Sequence, residues 1–161
     1  MTDMSYEANL AARLAELKIE MPEPPEPKGL YRPVVVIDRL AYLSGHLPVT
    51  PGGGLVTGRV GEDLDERAAH AAALLAGLGI LATLRKELGT LDRVRRVVRL
   101  FGAVHCTAEF TRHPAVINGC SELFAGVFGP EAGVGARCAI GVGSLPLGVP
   151  VEIEALFEVE A

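Results

Sequence analysis

The last 27 residues, Gly135 to Ala161, constrain the fold of this chain more than any other stretch. They divide at a turn, Gly143-Ser144-Leu145-Pro146, closed by Gly148 and Pro150. Before the turn, Ala136 to Val142 reads as a strand of small and apolar residues with Arg137 at its start. After it, Val151, Ile153, Ala155, Phe157 and Val159 alternate with Glu152, Glu154, Leu156 and Glu158. That is the period-two pattern of a strand with one buried face. A guanidinium entering an apolar strand is costly unless an anion meets it, and the planar fork of arginine suits carboxylates. Two partners for Arg137 compete. One is an internal glutamate, Glu152, Glu154 or Glu158. The other is the carboxylate of a small substrate, with Glu152 nearby to handle a water.

Upstream, the pattern alternates between strands and helices. Ser5 to Lys18 predicts a helix, with Leu10, Leu14 and Leu17 on one stripe. The prolines of Met21-Pro22-Glu23-Pro24-Pro25-Glu26-Pro27 end it in an extended linker. Residues 1–28 are thus expected to be an appendage on a domain spanning 29–161. Val34 to Ile37 and Leu40 to Ser44 read as a hairpin turning at Asp38-Arg39, and Leu55 to Val60 as a short strand beyond a glycine loop. That loop lacks the Lys-Ser/Thr of a phosphate-binding P-loop. Asp63 is expected to cap a long helix reaching Leu88, with an apolar stripe of Ala71, Leu74, Leu75, Leu78, Leu81, Leu84 and Leu88, and Gly89 as its C-cap. Gly77 and Gly79 within it are expected to allow close contact with the sheet. Arg93 to His105 predicts a strand in which Arg95 and Arg99 face away from Arg96, leaving no single basic stripe. A second helix is expected from His113-Pro114 to Val127, with Asn118 in its first half, and a polar loop from Gly129 to Gly135.

Strands, helix, strand, helix, strands: this order predicts an α+β sandwich with two helices on one face of a mixed sheet. Hydrophobic residues make up 49% of the 161 residues, so the uncovered face is expected to meet another copy of the chain. The net charge of −5 and the small aromatic count argue against nucleic acid as a partner. No membrane span is expected. Cys106, Cys120 and Cys138 read as reduced thiols of a cytoplasmic protein, with Cys120 and Cys138 buried. The four histidines are scattered, so no metal site is expected.

Several segments, in order, resemble the reactive intermediate deaminase (Rid) family, also called YjgF or endoribonuclease L-PSP. They are Leu43-Ser44-Gly45-His46-Leu47-Pro48, then Leu88-Gly89-Thr90-Leu91-Asp92-Arg93-Val94, then Ile117-Asn118 ahead of Phe124. The most specific comes last: Ala136-Arg137, followed by Ser144-Leu145-Pro146 and Val151-Glu152-Ile153-Glu154-Ala155. The resemblance implies a chorismate-mutase-like fold, a homotrimer whose sheets form a central barrel, and clefts between subunits. It implies hydrolysis of 2-imino acids, such as 2-iminobutanoate and 2-iminopropanoate, to 2-keto acids and ammonia without a cofactor. By the same token Arg137 holds the substrate carboxylate, Glu152 holds the attacking water, and Asn118, Ser44 and Tyr31 line the pocket. The chain departs from the family pattern in three places, one of them the proline-rich front with its extra helix, which the compact members lack. Ala139 stands where the family has cysteine, and His46 where glutamine is usual. A carboxylate-binding or chaperone-like trimer without catalysis, and a ribonuclease, are the competing expectations.

Overall fold

A computed structural model describes residues 5–160. In chain order they form α1 (Tyr6–Leu17), β1 (Val34–Ile37), β2 (Leu40–His46), α2 (Glu66–Leu88), β3 (Val94–His105), α3 (His113–Ala132), β4 (Ala136–Val142) and β5 (Val151–Val159). The sheet order is β1-β2-β5-β3-β4, with β3 and β4 parallel and every other pair antiparallel. The C-terminal alternation is thus the centre of the sheet. Its Val151, Ile153, Phe157 and Val159 are fully buried beneath the helices.

Because β2 and β3 both run antiparallel to β5, they are parallel to each other, with α2 as the crossover between them. A second crossover, α3, joins β3 to β4. Right-handed crossovers that step the same way across a sheet place their helices on one face, and α2 and α3 do pack there, against each other and the strands. Their approach is close enough to require glycine. A Cβ at Gly77 would lie 2.9 Å from Cys120 Sγ, and one at Gly119 would overlap the His70 carbonyl. Gly77 therefore serves contact with α3 rather than with the sheet, while Gly79 does face the sheet, at His46.

The other face has no helix over it among the described residues. α1 packs instead on α3: Leu10 is buried, Asn9 Nδ2 donates to the Val127 carbonyl at 2.9 Å, and Tyr6 meets Phe128 edge to face. The open face carries Val35, Ile37, Tyr42 and Ile140, all exposed, interleaved with Arg99 and Glu154.

Several local expectations change. Residues 55–60 make isolated bridges rather than a strand, since Gly58 takes φ +130 and breaks the extended run. Asp65, not Asp63, caps α2 by accepting from the Ala68 amide; Asp63 instead accepts from the Arg59 amide. Ala71 lies outside the buried stripe. Finally, α3 continues past Val127 to Ala132, broken at Gly129, where φ is 85. In β3 the register slips between Val94 and Arg96 and again between Val97 and Arg99. These bulges re-aim side chains, so Arg96 and Arg99 share the open face, opposite Glu158 and Leu156. α2 is long and apolar enough by composition to cross a membrane, yet 67% of that apolar window is buried within the fold.

Candidate functional site

Arg137 stands near the start of β4, level with Leu100 of β3, and so points to the helix face. There its Nη1 donates to Asn118 Oδ1 at 2.6 Å and to Ser121 Oγ at 3.0 Å, both on α3. Asn118 and Ser121 are three residues apart, which puts them on one side of the helix. The guanidinium is exposed and, among the described residues, forms no ion pair. Neither of its partners is charged. The internal glutamates are engaged elsewhere or lie on the far face; Glu158 pairs with Arg39 at 2.9 Å. A neutral amide and a hydroxyl orient the fork without neutralising it. The geometry leaves the charge available to an anion.

Arg137 also lines a cavity of about 260 Å³ between α3 and the β3–β4 strands, together with Val97, Leu100, Phe124 and Val134.

Glu152 lies on the open face of β5, level with Ala103 of β3. It is half-buried against the backbone of Gly45, where a Cβ would overlap its Oε1. Burial first, then the neighbouring Glu154 charge, pushes its carboxyl above the ordinary carboxylate range. Gly45 sits in a register break of β2 between Leu43 and His46. Ser44, in the same break, donates from Oγ to the Arg32 carbonyl at 2.6 Å and from its amide to the Pro33 carbonyl at 2.9 Å. This ties it to the residues that follow Tyr31. Tyr31 is exposed, and its hydroxyl accepts the Lys28 amide at 3.4 Å.

The five residues singled out by sequence therefore form two groups. Arg137 and Asn118 lie together on the helix face at the β4 edge. Tyr31, Ser44 and Glu152 lie around β1, β2 and β5. Within one chain β3 separates the groups, and the two glutamate and arginine side chains leave opposite faces of the sheet.

Three residues of this neighbourhood went unread in the sequence. Ser121 was legible from its spacing to Asn118. Gly45 was quoted only as part of a motif, although a glycine beside a strand serine signals close backbone approach. The third is Thr83. His46 is buried with Nδ1 2.7 Å from the Ser44 carbonyl and Nε2 2.8 Å from Thr83 Oγ1. A carbonyl only accepts, so Nδ1 carries the proton and Nε2 accepts from the threonine hydroxyl. Burial holds the His46 pKa below its ordinary value.

The two buried cysteines, Cys106 and Cys120, offer no ready thiolate. Cys120 is buried as expected, but Cys138 is exposed because its strand position faces the open side. Burial pushes the thiols of Cys106 and Cys120 up, and Cys106 lies 3.3 Å from His113 Nε2. Among the described residues no three His, Cys, Asp or Glu side chains cluster to hold a metal ion.

Known proteins share this arrangement of elements. A family model described as "YjgF/chorismate mutase-like, putative endoribonuclease" matches residues 11–157. Protein TCP17 of Trypanosoma cruzi is 40% identical over 149 residues, which is 92% of this chain and 93% of that protein. The crystal structure of Atu1372, a protein of unknown function from Agrobacterium tumefaciens, is 39% identical and superposes with a TM-score of 0.87 over 96% of each chain. RidA from the Antarctic bacterium Psychrobacter sp. PAMC 21119 is 26% identical, with a TM-score of 0.59 over 88% of this chain and 98% of that one. Matched over most of its length by the family model and by close relatives, the chain belongs to the YjgF/Rid family and has its chorismate-mutase-like α+β fold.

Proposed function

We propose that this protein hydrolyses 2-imino acids to 2-keto acids and ammonia, in clefts between copies of the chain in a homotrimer. The observation that carries the reading is Arg137: an exposed guanidinium oriented by Asn118 and Ser121, with no carboxylate in contact among the described residues. A two-point pair with a substrate carboxylate would fix the imine carbon in place. Water then adds across the C=N bond. Glu152 takes the proton of the attacking water, and its raised pKa suits that transfer. The resulting carbinolamine gives up its nitrogen as ammonia once that nitrogen is protonated, and the carbonyl forms.

Both groups must act on one substrate, yet one chain holds them on opposite sheet faces. A second copy resolves this if its β1–β2–β5 surface meets the β4 edge of the first. The exposed Val35, Ile37, Tyr42 and Ile140 are the apolar surface such a contact would bury.

The test is ammonia release from imines made in situ by an amino-acid oxidase. The wild-type protein should exceed buffer. Arg137→Ala should lower kcat/KM by about 100-fold, as expected for a lost charge-assisted pair. A wild-type rate equal to that of buffer defeats the proposal. Binding of 2-keto acids without turnover would point to a carboxylate-binding trimer instead.

A further inference from the structure

Among the described residues the buried polar side chains are His46, 3% exposed, and Thr83, 4% exposed, and they bond to each other. The chemistry proposed above uses neither. Buried polar groups are costly unless paired, so a matched pair at one place in the core invites a reason. Its surroundings supply one.

Along β2, Leu43 pairs with Ala155 and His46 with Ile153. Ser44 and Gly45 therefore stand opposite Glu154 alone, two residues against one, which is a β-bulge. A bulge takes backbone groups out of the ladder, and those that are shielded from water need another partner. The His46 ring provides it: Nδ1 donates to the Ser44 carbonyl at 2.7 Å. The far side of the ring is tied to α2, where Nε2 accepts from Thr83 Oγ1 at 2.8 Å. Burial favours the neutral ring that this pairing needs. Towards β1 the bulge is held by Ser44, whose amide and hydroxyl donate to the Pro33 and Arg32 carbonyls. The bulge is thus braced from two sides.

Glu152 rests on this bulge. A Cβ at Gly45 would overlap its Oε1 and crowd its Cδ, so the depth of the bulge decides where the carboxyl can lie. His46 sits on the helix face, paired with the buried Ile153, and Glu152 on the open face. The ring therefore acts through the strand backbone. Catalysis is sensitive to such placement, since a shift of about 1 Å can cost on the order of 100-fold.

We propose that His46, braced by Thr83, is a positioning residue for Glu152: it holds the Ser44–Gly45 bulge at the depth that aims the carboxyl at the attacking water. This rests on the reading of Glu152 as the group that takes the proton of that water.

The test is the split between kcat and KM in ammonia release, measured on the full chain and on variants whose folding is checked by thermal melts. Thr83→Val removes the hydroxyl and leaves the side-chain shape. It is expected to lower kcat about tenfold with KM within about twofold, because the substrate carboxylate is still held at Arg137. His46→Ala should lose at least as much. His46→Gln, which offers an amide to both partners, should stay within about threefold of wild-type kcat. Should His46→Ala fail to fold, Thr83→Val decides alone. Wild-type kcat in Thr83→Val, a loss that falls on KM instead, or a glutamine variant no faster than the alanine one overturns the positioning role and leaves the hydrolytic reading standing. A wild-type protein that releases no more ammonia than buffer overturns both.

Discussion

Glu152 shows how a single residue ties this site to the stability of the fold. Its carboxyl is half-buried against Gly45 with Glu154 beside it, and both features raise its pKa. The folded chain then holds its proton to a higher pH than the unfolded chain does. Its contribution to stability is complete below the ordinary carboxylate range and is lost as pH rises through the folded value. At neutral pH the charge is a burden on the fold. Glu152→Gln is therefore expected to abolish imine hydrolysis while raising the melting temperature at pH 7, with the gain vanishing below about pH 4. Thermal melts of both proteins across that range check the sign; a variant less stable than wild type at pH 7 contradicts it. The alternation of β5 made the outward side of Glu152 legible and the family resemblance made it a candidate, but its environment was not readable. Gly45 reaches it from β2, and no local pattern reports a contact between residues so far apart in sequence. Arg137 makes the same point: its place at the start of an apolar strand was readable, while its edge position and the neutral partners on α3 emerged only from the fold.

At the scale of elements, the long periodic segments read correctly and the interruptions did not. The ends of α1, the Asp38-Arg39 hairpin and the Gly89 cap of α2 follow from local chemistry. The two bulges of β3 do not, because the register there answers to β5, which is made last. Two junctions between elements invite measurement. Gly119 lets α3 lie on α2, and Gly119→Ala drives a methyl into the His70 carbonyl. The expected loss is about 1–3 kcal/mol in urea unfolding; an unchanged midpoint would mean that the helices have room to part. The second junction is His46, which links the Ser44–Gly45 break of β2 to Thr83 of α2. Its lowered pKa means that the unfolded chain takes up a proton first as pH falls. Stability is therefore retained above about pH 6.5 and declines below it. His46→Gln offers an amide to the same two partners without that titration. Its stability is expected to fall less steeply than that of wild type between about pH 6.5 and 5, as read by urea unfolding at each pH. Parallel slopes in the two proteins would show that His46 does not set the acid limb.

The whole molecule poses one further question: whether a single chain or a ring of chains carries the activity. The helix layer covers one sheet face, and α1 adds to that layer rather than to the bare side. The bare side holds apolar side chains near the Ser44 and Glu152 group, and the Arg137 group stands at the far edge. If closure into a trimer brings the edge of one copy to the face of the next, each working site takes Arg137 from one chain and Glu152 from its neighbour. Two dead variants then become complementary. Arg137→Ala and Glu152→Gln, unfolded together in equal amounts and refolded, form rings at random. An interface is intact only when an arginine-bearing chain meets a glutamate-bearing neighbour in the right order, so about a quarter of the sites regain both groups. The mixture should recover close to that share of wild-type ammonia release, while each variant alone stays inactive. Sedimentation supplies the companion measurement: Tyr42→Lys, on the bare face, is expected to release monomers that keep their helical circular dichroism. Recovery no greater than that of the separate variants, in a mixture shown to have exchanged subunits, would place both groups of a working site on one chain and rule out the shared cleft.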